Sequence, residues 1–252
     1  MSLKVIITGA SSGLGKALAK HYASLGATLG LIARNKVALE NLTKELDTIT
    51  ILYNIDVRDI QSMQLAANDF IQCYGCPDIV IANAGISHGT LTEHAEDSKI
   101  FESILSTNVT GVVNSFQPFI TVMRSQNKGS LVGISSVASY RGLPGGGAYS
   151  ASKAAVNLYL ESLRVEMYGS GISVITICPG YIVTPMTEKN PFQMPFIMTA
   201  AIAAKKIGNI INQKKQFAII PWQMAVVARI LKLLPNFIYD RIFSIMPRKP
   251  RI

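Results

Sequence analysis

At 252 residues, with 49% apolar and only 15% charged residues, the chain is long enough for one large α/β domain with a sizeable core and too apolar to be disordered. Its formal charge of +9 is segregated: residues 1–200 hold 14 Lys plus Arg against 14 Asp plus Glu, whereas residues 201–252 hold ten cations against one anion, Asp240. Three cysteines make no disulfide framework, and Cys73-x-x-Cys76, in a loop with no second pair, is incidental rather than a metal or redox motif, so no metal is expected and a reducing, cytoplasmic setting is.

The first apolar run, LKVIIT at 3–8, enters a glycine loop and therefore reads as a strand, not a signal peptide. The loop TGASSGLG spaces Gly9, Gly13 and Gly15 ahead of a helix near 14–25, a pattern in which backbone approaches a pyrophosphate and the helix N-terminus supplies amide donors. Strands follow at 28–33, 49–54, 78–83, 129–135, 172–178 and 217–220. Helices near 36–46, 60–73, 98–123, 148–168 and 196–213 separate them. Strands without polar alternation, each followed by a helix, predict a single-domain, Rossmann-like, doubly wound parallel sheet of about seven strands over 1–221, binding ligands at the carboxyl ends of its strands. Residues 222–252 are expected to form an amphipathic, basic extension.

After the second strand the chain reads LIARNK, with Ala33 where an NAD-preferring fold would place an acid. Arg34 next to it suits a 2′-phosphate, with Ser12 or Lys16 as helpers, so the expected cofactor is NADP(H). Further on, YSASK at 149–153 puts Tyr149 and Lys153 at i and i+4 on one helix face. An ammonium beside a phenol, with a nicotinamide's positive charge, is expected to bring a hydroxyl of free pKa about 10 into working range as acid or base. Ser136, just after a strand, is placed to hold a carbonyl oxygen.

These motifs together resemble the short-chain dehydrogenase/reductase family: TGASSGLG, Asp56-Val57, NAG at 83–85, Asn108, the Ser136 of ISS, YSASK, and PGYIVT at 179–184. The resemblance covers about residues 3–220 and implies a catalytic tetrad of Asn108, Ser136, Tyr149 and Lys153, with Asn108 anchoring a proton-relay water and Lys153 binding the nicotinamide ribose. It also implies a cofactor-binding set: Gly9, Ser11, Ser12, Gly13, Leu14 and Gly15; Arg34; Asp56 and Val57; Asn83, Ala84 and Gly85; Tyr149 and Lys153; Pro179, Gly180, Ile182 and Thr184. Asp56 would meet the adenine, and Ile182 and Thr184 the nicotinamide amide. The implied reaction is hydride transfer to or from a carbonyl carbon, and the implied assembly is a homodimer or homotetramer on 98–123 and 148–168.

The segment after PGYIVT carries Met186, Phe192, Met194, Phe196, Ile197 and Met198, an adaptable apolar wall for a lipid-like, acyl or steroid-like ketone or alcohol, or the core of a short helix. From Trp222 to Leu234 the apolar residues fill an arc of about 200° opposite Arg229 and Lys232, Pro235 interrupts, and a second apolar face forms over 236–246. Arg and Lys at these positions oppose a bilayer span, whereas the interface plane of an anionic membrane suits them. The same faces could instead pack on the enzyme's own body, lid the cleft or bury in a dimer. Three functions stay open: a membrane-associated ketone reductase, a 3-oxoacyl-carrier-protein reductase with a basic docking end, and a non-catalytic NADP-binding scaffold. Nucleic acid is not an expected partner, since no recognition motif accompanies the basic end.

Overall fold

A computed structural model describes residues 2–188 and 190–251. Its strands are β1 Lys4–Thr8, β2 Thr28–Ala33, β3 Thr50–Asn54, β4 Ile79–Ala82, β5 Gly129–Ile134, β6 Ile172–Pro179, the short β7 Ile182–Val183 and β8 Met198–Thr199, and β9 Phe217–Ile220. The helices are α1 Gly13–Ala23, α2 Lys36–Lys44, α3 Ile60–Tyr74, α4 Asp97–Leu105, α5 Gly111–Ser125, α6 Gly147–Glu166, α7 Ala200–Asn212, α8 Trp222–Leu233 and α9 Asn236–Phe243.

Seven strands pair in parallel in the order β3-β2-β1-β4-β5-β6-β9, and β7 pairs with β8 beside them. Both sheet faces are buried, which is why the strands read as unbroken apolar runs. In β1, Val5 and Ile7 pack with Leu18, Leu42 and Ile207 of α1, α2 and α7. Ile6 points the other way, into Phe70, Phe116 and Leu160 of α3, α5 and α6. Local chemistry sets several helix starts: Asn35, Asp59 and Thr199 each accept a hydrogen bond from a first-turn amide of α2, α3 and α7. The strand order reverses between β1 and β4, which opens a crevice at their carboxyl ends.

Two expectations change in detail. The helix expected over 98–123 runs from Asp97 to Ser125 and carries a π-turn at Ser106–Thr110 where α4 meets α5. The helix expected from 196 starts at Ala200, because Met198 and Thr199 pair with Ile182 and Val183 as strands.

The chain end doubles back. On α8, Met224, Val227, Ala228 and Leu231, spaced i, i+3, i+4 and i+7, face a cavity in the body of the protein. Tyr239 of α9 is buried: its hydroxyl donates to the Gly142 carbonyl at 2.6 Å, and the Arg141 guanidinium lies 4.1 Å from its ring centroid. Arg141 also donates to the Leu234 carbonyl at 3.2 Å and to Asn236 Oδ1 at 3.1 Å. The wide apolar arc thus does two things. Its inner edge packs inward, while Trp222, Val226, Ile230 and Leu233 stay exposed. Among the described residues no helix is long and apolar enough to cross a membrane.

Candidate active site

The residues expected from sequence converge at the strand carboxyl ends around a cleft of about 350 Å³. The loop after β1 contributes Gly9 and Ser11 to Leu14, the end of β2 contributes Arg34, and the end of β3 contributes Asp56 and Val57. Asn83, Ala84 and Gly85 follow β4, Pro179 and Gly180 follow from β6, and Ile182 and Thr184 close the far side. Gly15 does not line the cleft. A Cβ there would run into the Gly9 carbonyl and approach Asn83 Nδ2 to 2.7 Å, so this glycine lets α1 pack tightly beneath the loop. Asn83 donates to the carbonyls of Thr8 at 3.0 Å and Gly9 at 3.3 Å, while Thr8 Oγ1 accepts from the Asn83 and Ala84 amides at 3.1 and 3.2 Å. Thr8 opens the TGASSGLG motif but is not among the site residues expected from it, and it ties the two strand ends that flank the crevice.

The donor set fits a dinucleotide. Ser12, the N-cap of α1, takes no helix amide onto its side chain, and no acid sits in the first turn, so the amides at that N-terminus face the cleft with their partial positive charge. Thr107 Oγ1 is buried on the cleft wall without a hydrogen-bond partner among the described residues. Arg34 is 59% exposed and only 3.9 Å from Asp56. The Asp56 carboxylate is held instead by Arg58, at 2.6 to 3.0 Å, which keeps its pKa below the usual carboxylate range. Sequence reasoning missed Arg58. Lys16 is paired with Glu45 at 2.8 Å, pointing away from the role of phosphate helper.

Tyr149 and Lys153 occupy the first turns of α6, with Lys153 Nζ 5.8 Å from the Tyr149 ring centroid. Lys153 is buried and donates to the Ile134 carbonyl at 2.8 Å. Burial lowers its pKa to about 8. In the chain by itself burial raises the Tyr149 pKa, and the Ser136 hydroxyl offsets only part of this. The cofactor's positive charge belongs to the expected lowering, and Lys153 directs its ammonium at a backbone carbonyl.

Asn108 sits in the π-turn and is fully buried behind the cleft. Its Oδ1 accepts from the Ile86 amide at 2.8 Å, and its Nδ2 donates to the Ile86 carbonyl and Ser152 Oγ, each at 3.0 Å. Ser152 in turn donates to the Tyr149 carbonyl at 2.7 Å. Both amide donors are therefore spent on protein, fastening the 83–89 loop to the turn that carries Tyr149. A π-turn is a usual device for aiming one side chain out of helical register.

Beside the cleft lies a second cavity of about 330 Å³, and Ser136 and Tyr149 line both. Of the six apolar residues expected to wall it, Met186 and Phe192 do so. Met198 is core of the neighbouring cluster, Phe196 and Ile197 are exposed, and Met194 accepts a hydrogen bond from Asn190 instead. The rest of the wall comes from Arg141 and Leu143, which sequence reasoning did not place there, and from α8 and the residues after α9, in line with the alternative that the extension lids the cleft.

A family model described as short chain dehydrogenase matches residues 3–194. The chain belongs to that family. An uncharacterized oxidoreductase of Myxococcus xanthus is 35% identical over 238 residues, covering 93% of this chain and 94% of its own length. A 3-oxoacyl-[acyl-carrier-protein] reductase of Thermotoga maritima is 35% identical over 189 residues, 74% of this chain and 76% of its own. Among solved structures, a short-chain dehydrogenase/reductase of Burkholderia phymatum in complex with NAD superposes with a TM-score of 0.83 at 23% identity, over 100% of this chain and 98% of its own. Actinorhodin polyketide ketoreductase with NADPH gives 0.78 at 23% identity, over 87% of this chain and 95% of its own. The fold is thus one that holds either nicotinamide cofactor.

Proposed function

We propose that this short-chain dehydrogenase is an NADP(H)-dependent reductase of hydrophobic, lipid-like, acyl or steroid-like ketones that works at an anionic membrane surface. The observation that carries the reading is the position of Ser136 and Tyr149 on the wall shared by the cleft and the apolar cavity. A ketone in the cavity would present its oxygen to both hydroxyls. Tyr149, its pKa raised by burial, keeps its proton at neutral pH and is ready as an acid. As the ketone oxygen gains negative charge, that proton passes to it, Ser136 donates a second hydrogen bond, and the Lys153 ammonium steadies the phenolate left behind. When bound, the reduced nicotinamide supplies the hydride to the carbonyl carbon. Asn108 holds the Tyr149 turn and the 83–89 loop in register, and relay of protons to Lys153 through water would pass near it.

The exposed Arg34, bound only loosely to an Asp56 that Arg58 already satisfies, supports NADP(H) over NAD(H). Exposed Leu158, Val165 and Tyr168, on and after α6, support a homodimer or homotetramer built there. Membrane docking through 222–252 is supported by the outward Trp222, Leu233, Phe237 and Ile245, interspersed with Arg229, Lys232 and Arg241. The carrier-protein reading keeps one specific support, the Thermotoga relative.

The test is NADPH oxidation by full-length protein with a series of 2-alkanones, a steroid ketone and a carrier-bound 3-oxoacyl chain. Turnover rising with alkanone length is expected, as is a fall of about 10³-fold in kcat for Tyr149→Phe, within the range general acid catalysis supplies. Preference for the carrier-bound chain would favour the second reading. Tight NADPH binding with no turnover of any ketone would make the chain a cofactor-binding scaffold instead.

A further inference from the structure

The end of the chain returns to the active site and is pinned there. Arg251 donates to Asp97 at 2.9 and 3.1 Å and to Glu96 at 2.7 Å. Asp97 is 3% exposed, so this ion pair is partly withdrawn from water. The Pro250 carbonyl accepts from the Gly89 amide at 3.0 Å. Gly89 is what allows this approach, because a Cβ there would run into the Lys249 and Pro250 carbonyls. Arg248 lies against Gly145, whose carbonyl accepts from the Thr90 amide at 2.9 Å.

Between these pins, Lys249 enters the apolar cavity. Its Nζ lies 5.8 Å from the Tyr149 ring centroid, the same distance as Lys153 Nζ, and donates to Ser87 Oγ at 2.7 Å. An ammonium has three N–H donors, and Ser87 takes one of them. Among the described residues no carboxylate lies within 4.0 Å of it. Lys249 is partly buried, and that burial lowers its pKa. Partial burial of an unpaired cation is unfavourable. Lysine ordinarily escapes that cost by extending its stem into solvent, whereas here the flanking contacts hold its backbone at the cavity and Ser87 holds its ammonium. The charge is thus held beside Tyr149, with no carboxylate of the described residues within 4.0 Å to meet it.

We propose that Lys249 is a substrate-recognition residue that pairs with an anionic group, a carboxylate or a phosphate, on an amphiphilic ketone whose apolar chain lies against α8 and α9. The substrate part of this inference rests on the ketone-reductase reading; the anion site itself does not. The deciding experiment therefore has a binding arm and a kinetic arm.

In the first, octanoate, octyl phosphate and 1-octanol are titrated calorimetrically into full-length protein. At least one anion is expected to bind tenfold or more tightly than octanol. Lys249→Met should remove that advantage, Lys249→Arg should keep it, and Gly89→Ala, which displaces the tail backbone while leaving the lysine side chain in the sequence, should reduce it. The anion with the larger advantage identifies carboxylate or phosphate as the matching group. Equal binding of anions and octanol, or an advantage that survives Lys249→Met in protein of unchanged circular dichroism, would overturn the proposal.

In the kinetic arm, 4-oxodecanoate is compared with its methyl ester. A preference for the acid that falls tenfold or more in Lys249→Met, through KM rather than kcat, is expected. Turnover of the ester with no preference for the acid would sink the substrate assignment alone. Failure to turn over either would instead count against the reductase reading, leaving the binding arm to decide the anion site.

Discussion

At Lys153 the folded protein holds an ammonium in a place that disfavours it. Its pKa of about 8 lies below the ordinary 10.5, so between these values the unfolded chain binds a proton that the folded chain does not. Stability therefore rises with pH across that window, and below it the full cost is carried, about 3 kcal/mol at roughly 1.4 kcal/mol per unit. Lys153→Met is accordingly expected to raise the Tm of the cofactor-free protein at pH 7 while abolishing turnover, with the Tm difference shrinking as the pH approaches 10.5. A melting series from pH 7 to 10.5 checks this, and a difference independent of pH would refute it. Arg34 supports a second test at the same scale. Charge-assisted hydrogen bonds contribute about 1.5–3 kcal/mol, so Arg34→Asp should cut the NADPH-over-NADH preference in kcat/KM by about 10- to 100-fold. An unchanged ratio would remove Arg34 from the cofactor assignment.

Helix α8 shows how one element can serve two surroundings. Met224, Val227, Ala228 and Leu231 line the cavity, and Trp222, Val226, Ile230 and Leu233 form an exposed row beside them. Both rows are apolar, so a helical wheel merges them into one arc. Because the inner row walls the cavity, Leu231→Trp should narrow it. The ratio of kcat/KM for a long-chain over a short-chain 2-alkanone is expected to fall about tenfold, the scale on which a methylene or two in an apolar pocket discriminates. An unchanged ratio would mean that long chains do not lie along α8. The π-turn at 106–110 is the other element of consequence, since it turns Asn108 inward onto Ile86 and Ser152. Nothing in STNVT marks it: no Gly or Pro breaks the helical pattern, and the inserted residue is kept by hydrogen bonds to partners 22 and 44 positions away.

For the whole molecule, the outer apolar row, the charge segregated into the last fifth of the chain and the cavity behind α8 and α9 lie together at one end of the chain. Removing residues 222–252 would strip a wall from the cavity as well as any docking face, so point substitutions are the cleaner probe. Leu233 and Ile245 are 83% and 85% exposed, and the double variant Leu233→Glu with Ile245→Glu should keep the wild-type Tm. It is expected to lose sedimentation with phosphatidylserine-containing vesicles, while wild-type protein pellets with them at low salt and less at high salt. Wild-type protein that fails to pellet at either salt would leave the exposed row to an interface between copies of the chain.

The seven strands of the sheet were legible to within a residue or two, and so were most of the helices and the converging set from Gly9 to Thr184. Their signals are local: apolar runs of strand length, a glycine loop before a helix, a tyrosine and a lysine one turn apart. Sequence by itself thus determined the family, the sheet and most of the residues that gather at its carboxyl ends. The tertiary structure alone decided what those signals meet. It directed Lys153 to a backbone carbonyl, committed Asp56 to Arg58, and brought Lys249 back across more than 150 residues to Ser87. Hydrophobic periodicity reports which side of an element is apolar. It carries no information about which distant surface does the burying, because apolar burial is non-directional and only the packed chain selects the partner.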